Sequence, residues 1–198
     1  MKIVGVGCGP GMLTEEAIAA IRNATLIYGS SRAIALAKDH IDPDCRVCPF
    51  PDYKSLHALP REAVVLSTGD PMLAGLGYLG GEVIPGISSL QVAVARLHLP
   101  LARVSVVDAH GKDHVKPLEE AGKELGRGKI VFLLADPGLG LEEVRAVLLE
   151  LPGPVTVYLC KDLGYPEEEI RELVSAELSG TIPGLFSLVL VPTRANQV

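Results

Sequence analysis

The sequence predicts a two-domain α/β protein whose first domain is built on a largely parallel sheet. Apolar, β-branched runs alternate with segments of helical period from the first residue to about position 95, the pattern of successive βαβ units. Three of these runs end directly in loops of glycine, proline and small polar residues. The alternation stops at the proline-bearing stretch 97–103 and then begins afresh, which places a domain boundary there. The expected domains are 1–98 and 103–198.

In the first half the strand candidates are 2–6, 25–28, 45–48, 63–67 and 82–84. Thr14 is positioned to cap a first helix, with Glu15 and Glu16 facing the positive end of the helix dipole and Ala17, Ile18 and Ile21 turned inward. A second helix is expected over 31–38. Ser88, followed three positions later by Gln91, has the form of a capping box opening a helix that carries Leu90, Val92, Val94 and Leu97. In the second half the strand candidates are 103–107, 129–134, 154–159 and 187–191. Leu141, Val144, Val147, Leu148 and Leu151 share one helical face. Pro166 followed by Glu167, Glu168 and Glu169 predicts a helix start, with Ile170, Leu173, Val174 and Leu178 inward.

The loops are Gly5-Val6-Gly7-Cys8-Gly9-Pro10-Gly11, Ser67-Thr68-Gly69-Asp70-Pro71-Met72 and Pro85-Gly86-Ile87-Ser88-Ser89. In an open parallel sheet the turns at the carboxyl ends of strands line one crevice, where small residues bring bare backbone up to a ligand. They point to a small-molecule site. The first loop is not a standard dinucleotide fingerprint, because Pro10 removes an amide and Tyr28-Gly29-Ser30 stands where a ribose-reading acid would be. No glycine-lysine-serine or glycine-lysine-threonine triplet follows, so a Walker phosphate loop is excluded.

A net charge of −6 without a basic run argues against nucleic acid as a partner, and 4% aromatic residues with no tryptophan argue against base stacking. No apolar run approaches the length of a membrane span, and the amino terminus has no basic-then-apolar leader pattern; the expected location is the cytoplasm, with no membrane partner. Of Cys8, Cys45, Cys48 and Cys160, only Cys45 and Cys48 are close in sequence. They lack the second pair or suitably spaced histidines of a zinc site and the helix-start context of a redox dithiol, so packing is the favoured reading and no metal is expected.

Asp70, between Gly69 and Pro71, is open to two readings: a carboxylate that stabilises its own turn, or one that accepts from a ligand hydroxyl or amine. Ser88 and Ser89 divide the same way between helix capping and ligand contact. His110-Gly111-Lys112-Asp113-His114 reads either as a solvated loop or as donors for substrate carboxylates. Gly111 and Pro117 argue against the helix that a metal-binding histidine pair would need. No serine-histidine-acid or cysteine-histidine constellation and no flanking carboxylate pair is legible.

Taken together, Val6-Gly7-Cys8-Gly9-Pro10-Gly11 with Leu13-Thr14, Ser67-Thr68-Gly69-Asp70-Pro71-Met72, Pro85-Gly86-Ile87-Ser88-Ser89 and the late Val191-Pro192-Thr193 resemble the tetrapyrrole methylases, the class III S-adenosylmethionine-dependent methyltransferases. The resemblance covers essentially the whole chain. It implies two α/β domains with a largely parallel N-terminal sheet and a mixed C-terminal sheet, S-adenosylmethionine bound in the cleft between them, S-adenosylhomocysteine as product, and a homodimer. Carried over by position, Gly9, Pro10, Gly69, Asp70, Met72, Leu73, Ser88 and Ser89 belong to the donor and tetrapyrrole trough. Leu134, Ala135, Lys161, Asp162, Pro192 and Thr193 take the adenine-side positions, with Lys161-Asp162-Leu163 standing where the family more commonly has Glu-Asn-Leu.

Gly29-Ser30, Ala109-His110-Gly111 and Lys161-Asp162-Leu163-Gly164-Tyr165-Pro166-Glu167 resemble the branch of that family that methylates C5 of a precorrin-6Y or cobalt-precorrin-7 macrocycle in cobalamin synthesis. The resemblance implies a tetrapyrrole substrate and, for a free-standing enzyme, a separate C15 methyltransferase and decarboxylase as a possible partner. The substrate is flat and rich in carboxylates, so Arg32, Lys54, Arg61, His110, Lys112 and Lys116 are the candidate cations for it. Methyl transfer from a sulfonium needs alignment above all, and no catalytic side chain is expected. The alternatives are a sister methylase acting at C11, C17, C20 or on uroporphyrinogen, a diphthamide or ribosomal RNA methyltransferase, and a non-catalytic tetrapyrrole-binding subunit.

Overall fold

Lys2–Gly5 forms the first strand, β1, and Leu26–Gly29 (β2), Arg46–Pro49 (β3), Val64–Ser67 (β4) and Glu82–Ile84 (β5) complete its sheet. These are features of the computed structural model, which describes residues 1–50 and 52–193. The strand order is β3-β2-β4-β1-β5 and every pairing is parallel. Because β1 lies between β4 and β5, the loops after these three strands are neighbours. Helices α1 (Glu15–Arg22) and α2 (Ser31–Ala37) pack on one face through Ala17, Ile21, Ala33 and Ala37 against Val4, Ile27, Val64 and Leu66. Ile3 and Val65 point the other way and are covered by Leu56 and Leu76, which come from two short 3-10 segments, Tyr53–Ala58 and Leu76–Leu79. Burial on both faces is what makes parallel strands read as unbroken apolar runs.

Side chains cap both helices, Thr14 as expected and Ser30 without having been singled out in the sequence. Thr14 Oγ1 accepts the amide of Ala17 at 3.1 Å, and Ser30 Oγ accepts that of Ala33 at 3.2 Å. Helix α3 (Ser89–Arg96) opens with the capping box: Gln91 Oε1 accepts the Ser88 amide at 2.7 Å, and Ser88 Oγ accepts the Gln91 amide at 3.3 Å. The chain forms two units, Met1–Val92 and Ala93–Val198, which meet in sequence inside α3, upstream of the Pro100 stretch. Residues 194–198 of the expected second domain lie outside the described residues.

The second unit contains β6 (Val104–Ala109), α4 (Val115–Gly126), β7 (Ile130–Ala135), α5 (Leu141–Leu149), β8 (Val155–Lys161), β9 (Glu169–Leu173) and β10 (Phe186–Pro192). Its sheet has the order β6-β7-β10-β8-β9. Only β6 and β7 are parallel, and the rest pair antiparallel, so the sheet is mixed. Leu118, Ala121 and Leu125 of α4 and Leu141 and Val144 of α5 bury one face over Val131, Leu133, Leu188 and Leu190. No helix among the described residues is long and apolar enough to cross a membrane.

Two elements differ from the sequence reading. The helix expected from Pro166 is a strand: β9 pairs with β8 from Lys161↔Glu169 to Val157↔Leu173. Glutamate, leucine and arginine favour a helix locally, but ladder pairing to a buried strand overrides that preference. Conversely, α4 begins at Val115 and takes Pro117 into its first turn, where a proline's missing amide breaks no helical bond.

Candidate active site

The three glycine-rich loops meet backbone to backbone. A methyl group on Gly5 would stand 2.5 Å from the Gly86 nitrogen and 2.9 Å from the Gly69 carbonyl oxygen, and one on Gly86 would run into that same oxygen. All three glycines are buried. Hydrogen bonds stitch the loops together. Gly69 N–H donates to Gly7 O at 2.8 Å and Gly7 N–H to Gly69 O at 3.3 Å, while Cys8 N–H donates to Ile87 O at 3.0 Å. Gly7 and Gly69 hold φ of 79° and 70°, the left-handed region that glycine adopts without strain. The result is a cradle walled by peptide groups rather than side chains.

Asp70 ties this cradle. Its Oδ1 accepts the amide of Met72 at 2.7 Å, closing its own turn, and its Oδ2 accepts the amide of Gly86 at 3.0 Å, linking the second loop to the third. A carboxylate offers about four lone-pair positions, so these bonds leave acceptor capacity for a ligand. Behind it, the buried Ser67 hydroxyl accepts the Leu76 amide at 3.3 Å. Gly9 is buried and Pro10 exposed in the first loop; Met72 is 71% exposed and Leu73 half-buried. Ser88 is buried and engaged by Gln91, with Ser89 half-buried beside it.

Of the cation candidates in this unit, Arg32 reaches the cradle, its Nη2 donating to Cys8 O at 3.3 Å. Lys54 lies in the 3-10 segment that follows β3. Arg61 is not brought to the loops: it lies three residues before the start of β4 and lines a separate cavity of about 470 Å³ with Lys2, Asn23, Glu62 and Glu82, at the amino ends of the strands. Because Arg61 precedes β4 in the chain, it lies at the amino end of that parallel strand, opposite the loops that follow β1, β4 and β5.

In the second unit, Leu134 and Ala135 end β7 and Lys161 ends β8. Ser187 of β10 pairs with both Leu134 and Cys160, so these ends share one edge of the sheet. Ala109 pairs with Ala135, which brings His110 to the same edge, and Asp162 follows Lys161 with φ of 46°. Pro192 and Thr193 are not there. Pro192 pairs with Val155 at the start of β8, and Thr193 bonds Pro154 O through its amide and hydroxyl at 3.1 and 2.9 Å. At an antiparallel rise of about 3.4 Å per residue, that is about 17 Å from Ser187. The antiparallel course of β10, which the sequence does not declare, puts its carboxyl end opposite those of β7 and β8.

The histidine loop is more ordered than its composition suggests. Asp136 Oδ2 accepts the Gly111 amide and Oδ1 the Gly138 amide, each at 2.8 Å, and these two bonds hold its carboxyl below the usual carboxylate range. His110 Nδ1 lies 3.2 Å from Asp108 Oδ1. His114 is the deeper of the two histidines, its Nε2 3.6 Å from Asp136 Oδ1 and its Nδ1 3.9 Å from Glu143 Oε2. Lys112 is exposed, and Lys116 faces Asp113 at 3.9 Å. Among the described residues no group of three or more His, Cys, Asp or Glu is arranged to hold a metal ion. Cys160 is buried, and burial with the nearby Glu168 charge pushes its thiol up to about 12, so it packs as a neutral thiol.

The comparisons with known proteins agree with this architecture. The chain is 30% identical to the "Probable cobalt-precorrin-7 C(5)-methyltransferase" of Methanocaldococcus jannaschii over 88% of its own length and 92% of that protein's. It is 27% identical to the "Precorrin-6Y C(5,15)-methyltransferase [decarboxylating]" of a Sinorhizobium species, covering 89% of this chain but only 45% of that larger enzyme. The crystal structure of a cobalamin-biosynthesis precorrin-6Y methylase from Archaeoglobus fulgidus superposes with a TM-score of 0.72 at 32% identity, over 96% of both chains. The family model for tetrapyrrole (corrin/porphyrin) methylases matches residues 2–179, a span holding both sheets and all three loops up to the last strand, and so the chain belongs to the tetrapyrrole methylase family.

Proposed function

We propose that this methylase transfers the methyl group of S-adenosylmethionine to C5, a meso carbon, of a corrinoid precursor of the cobalt-precorrin-7 type. The observation that carries the reading is the 30% identity, over nearly the full length of both chains, to the protein named "Probable cobalt-precorrin-7 C(5)-methyltransferase" in Methanocaldococcus jannaschii, supported by the 32% identity to the precorrin-6Y methylase from Archaeoglobus fulgidus.

The cradle fits such a donor. Where a side chain on Gly5, Gly69 or Gly86 would stand, neighbouring backbone already closes the space or the backbone is left-handed, so peptide groups can approach a ligand directly. When bound, the donor supplies a methyl group already activated by its positive sulfur. The chain's part is to bind and aim it: Gly9, Pro10, Gly69, Asp70, Met72, Leu73, Ser88 and Ser89 from the first unit, and Leu134, Ala135, Lys161 and Asp162 from the second. Pro192, Thr193 and Arg61 fall outside the proposed set because of their placement. Arg32, Lys54, His110, Lys112 and Lys116 are the cations offered to the substrate's carboxylates. The carbon that gains the methyl gives up a proton as conjugation returns. No protein nucleophile takes part.

The same reading carries a homodimer, a cytoplasmic location, and a separate C15 methyltransferase as a partner. The test of the activity is to incubate the protein with cobalt-precorrin-7 and donor carrying a 13C methyl, then locate the label by NMR. One new methyl at C5 is expected. Label at C11, C17 or C20, or transfer only to uroporphyrinogen, would contradict the assignment, and a protein that binds without turnover would be a carrier instead.

A further inference from the structure

The connection from β8 to β9 is organised by one carboxylate. Glu168 Oε2 accepts the amide of Gly164 at 2.7 Å and Oε1 accepts Nε of Arg96 at 2.8 Å. The Gly164 bond first, and the Arg96 guanidinium after it, hold the Glu168 carboxyl below the usual carboxylate range. Inside the connection, Tyr165 N–H donates to Asp162 O and Glu168 N–H to Tyr165 O, both at 3.0 Å, and Leu163 is buried. Asp162 and Gly164 both sit in the left-handed region, with φ of 46° and 82°. A side chain there is strained unless its surroundings hold it, and the Asp162 carbonyl is held by this turn.

The three successive glutamates therefore have different tasks. Glu167 is exposed, and Glu169 pairs with Arg171 along β9 at 2.9 Å. Glu168 alone turns back to accept a backbone amide. The ion pair with Arg96, whose side chain is 54% exposed, contributes little by itself in water. The bond to Gly164 is the one made to the backbone, and Gly164 stands two residues after Asp162, just beyond the β8 end at Lys161.

We propose that Glu168 is a positioning residue for the methyl donor: by holding Gly164 it locks Lys161 and Asp162 in the conformation that meets the donor's nucleoside. This rests on the assignment of Lys161 and Asp162 to the donor made above. Glu168→Ala, Glu168→Gln and Arg96→Ala are compared with the unaltered protein. Three quantities are read: S-adenosylhomocysteine affinity by calorimetry, the separate KM values for donor and tetrapyrrole, and hydrogen exchange at the Gly164 amide.

For Glu168→Ala, affinity and donor KM are expected to worsen about 10-fold to 100-fold, the scale of one lost hydrogen bond to a charged group, with the tetrapyrrole KM unmoved and Gly164 exchanging faster. Glu168→Gln keeps one acceptor oxygen and recovers part of both losses. Arg96→Ala, which leaves the Gly164 bond in place, stays within about twofold of the unaltered protein, as for an exposed pair. Faster Gly164 exchange with unchanged donor affinity would overturn the proposal while leaving the donor reading intact. Absence of binding by the unaltered protein would overturn both. If Glu168→Ala does not fold, Glu168→Gln decides alone, and unchanged donor affinity with faster Gly164 exchange counts against the idea.

Discussion

Replacing Gly86 with alanine is expected to abolish donor binding and to lower stability by at least the upper end of the about 1–3 kcal/mol typical of overpacked sites. The reason is geometric. The added methyl would collide with Gly69 O and stand 2.9 Å from Cα and carbonyl carbon of Gly5. These are backbone atoms of two other loops, so no rotamer change relieves the contact; the loops must separate. Gly86 has no left-handed φ, so the penalty is purely one of space. Gly126, the last residue of α4, has nothing within 4 Å of an added methyl, and Gly126→Ala is expected to leave donor binding alone and stabilise by up to about 1 kcal/mol. Thermal melts and calorimetry with S-adenosylhomocysteine on the two variants check both signs. Donor affinity retained by Gly86→Ala would mean that the close approach of the loops is not what forms the site.

Asp70→Ala is expected to carry the second largest effect. It leaves the Met72 and Gly86 amides without their acceptor, and Gly86 is buried. An unsatisfied buried donor costs about 1–3 kcal/mol. The second and third loops lose their tether together with a charge that a ligand would meet, so donor affinity should fall more than about 10-fold. Asp70→Asn is the informative companion. Its one oxygen can serve either amide, while its NH2 then faces the other donor to donor, so both stability and affinity should fall between those of the unaltered protein and Asp70→Ala. Equal affinity in all three proteins would reduce Asp70 to a surface turn residue.

Much of the first sheet was legible because its central strands β1 and β4 are buried apolar runs that lead into glycine-bearing loops. Ile3, Val4, Val65 and Leu66 are all sequestered, and runs of that kind mark both the strand and the loop that follows it. What could not be read was the strand order. The sequence presents three loops far apart, and only the placement of β1 between β4 and β5 brings Gly5, Gly69 and Gly86 into contact. The helix caps at Thr14 and Ser88 were legible because capping is local. The strand β9 was not, since its residues Glu169, Arg171 and Glu172 are those of a helix and its pairing to β8 is not local. The same failure hid Glu168: three glutamates after a proline read as a helix start, and the backbone amide that one of them accepts exists only in the folded hairpin. Pro192 and Thr193 teach the complementary lesson, because the end of the sheet a residue reaches depends on the direction in which its strand runs, whereas Arg61 precedes β4 and its amino-end position follows from sequence order.

The most direct test of the central claim, that the three loops form the donor cradle, is a titration of 15N-labelled protein with S-adenosylhomocysteine followed through amide chemical shifts. Saturable shifts concentrated over 5–11, 67–73 and 85–89 are expected. Shifts centred on the cavity at the amino ends of the strands, around Lys2, Arg61 and Glu82, or none at saturating ligand, would contradict it.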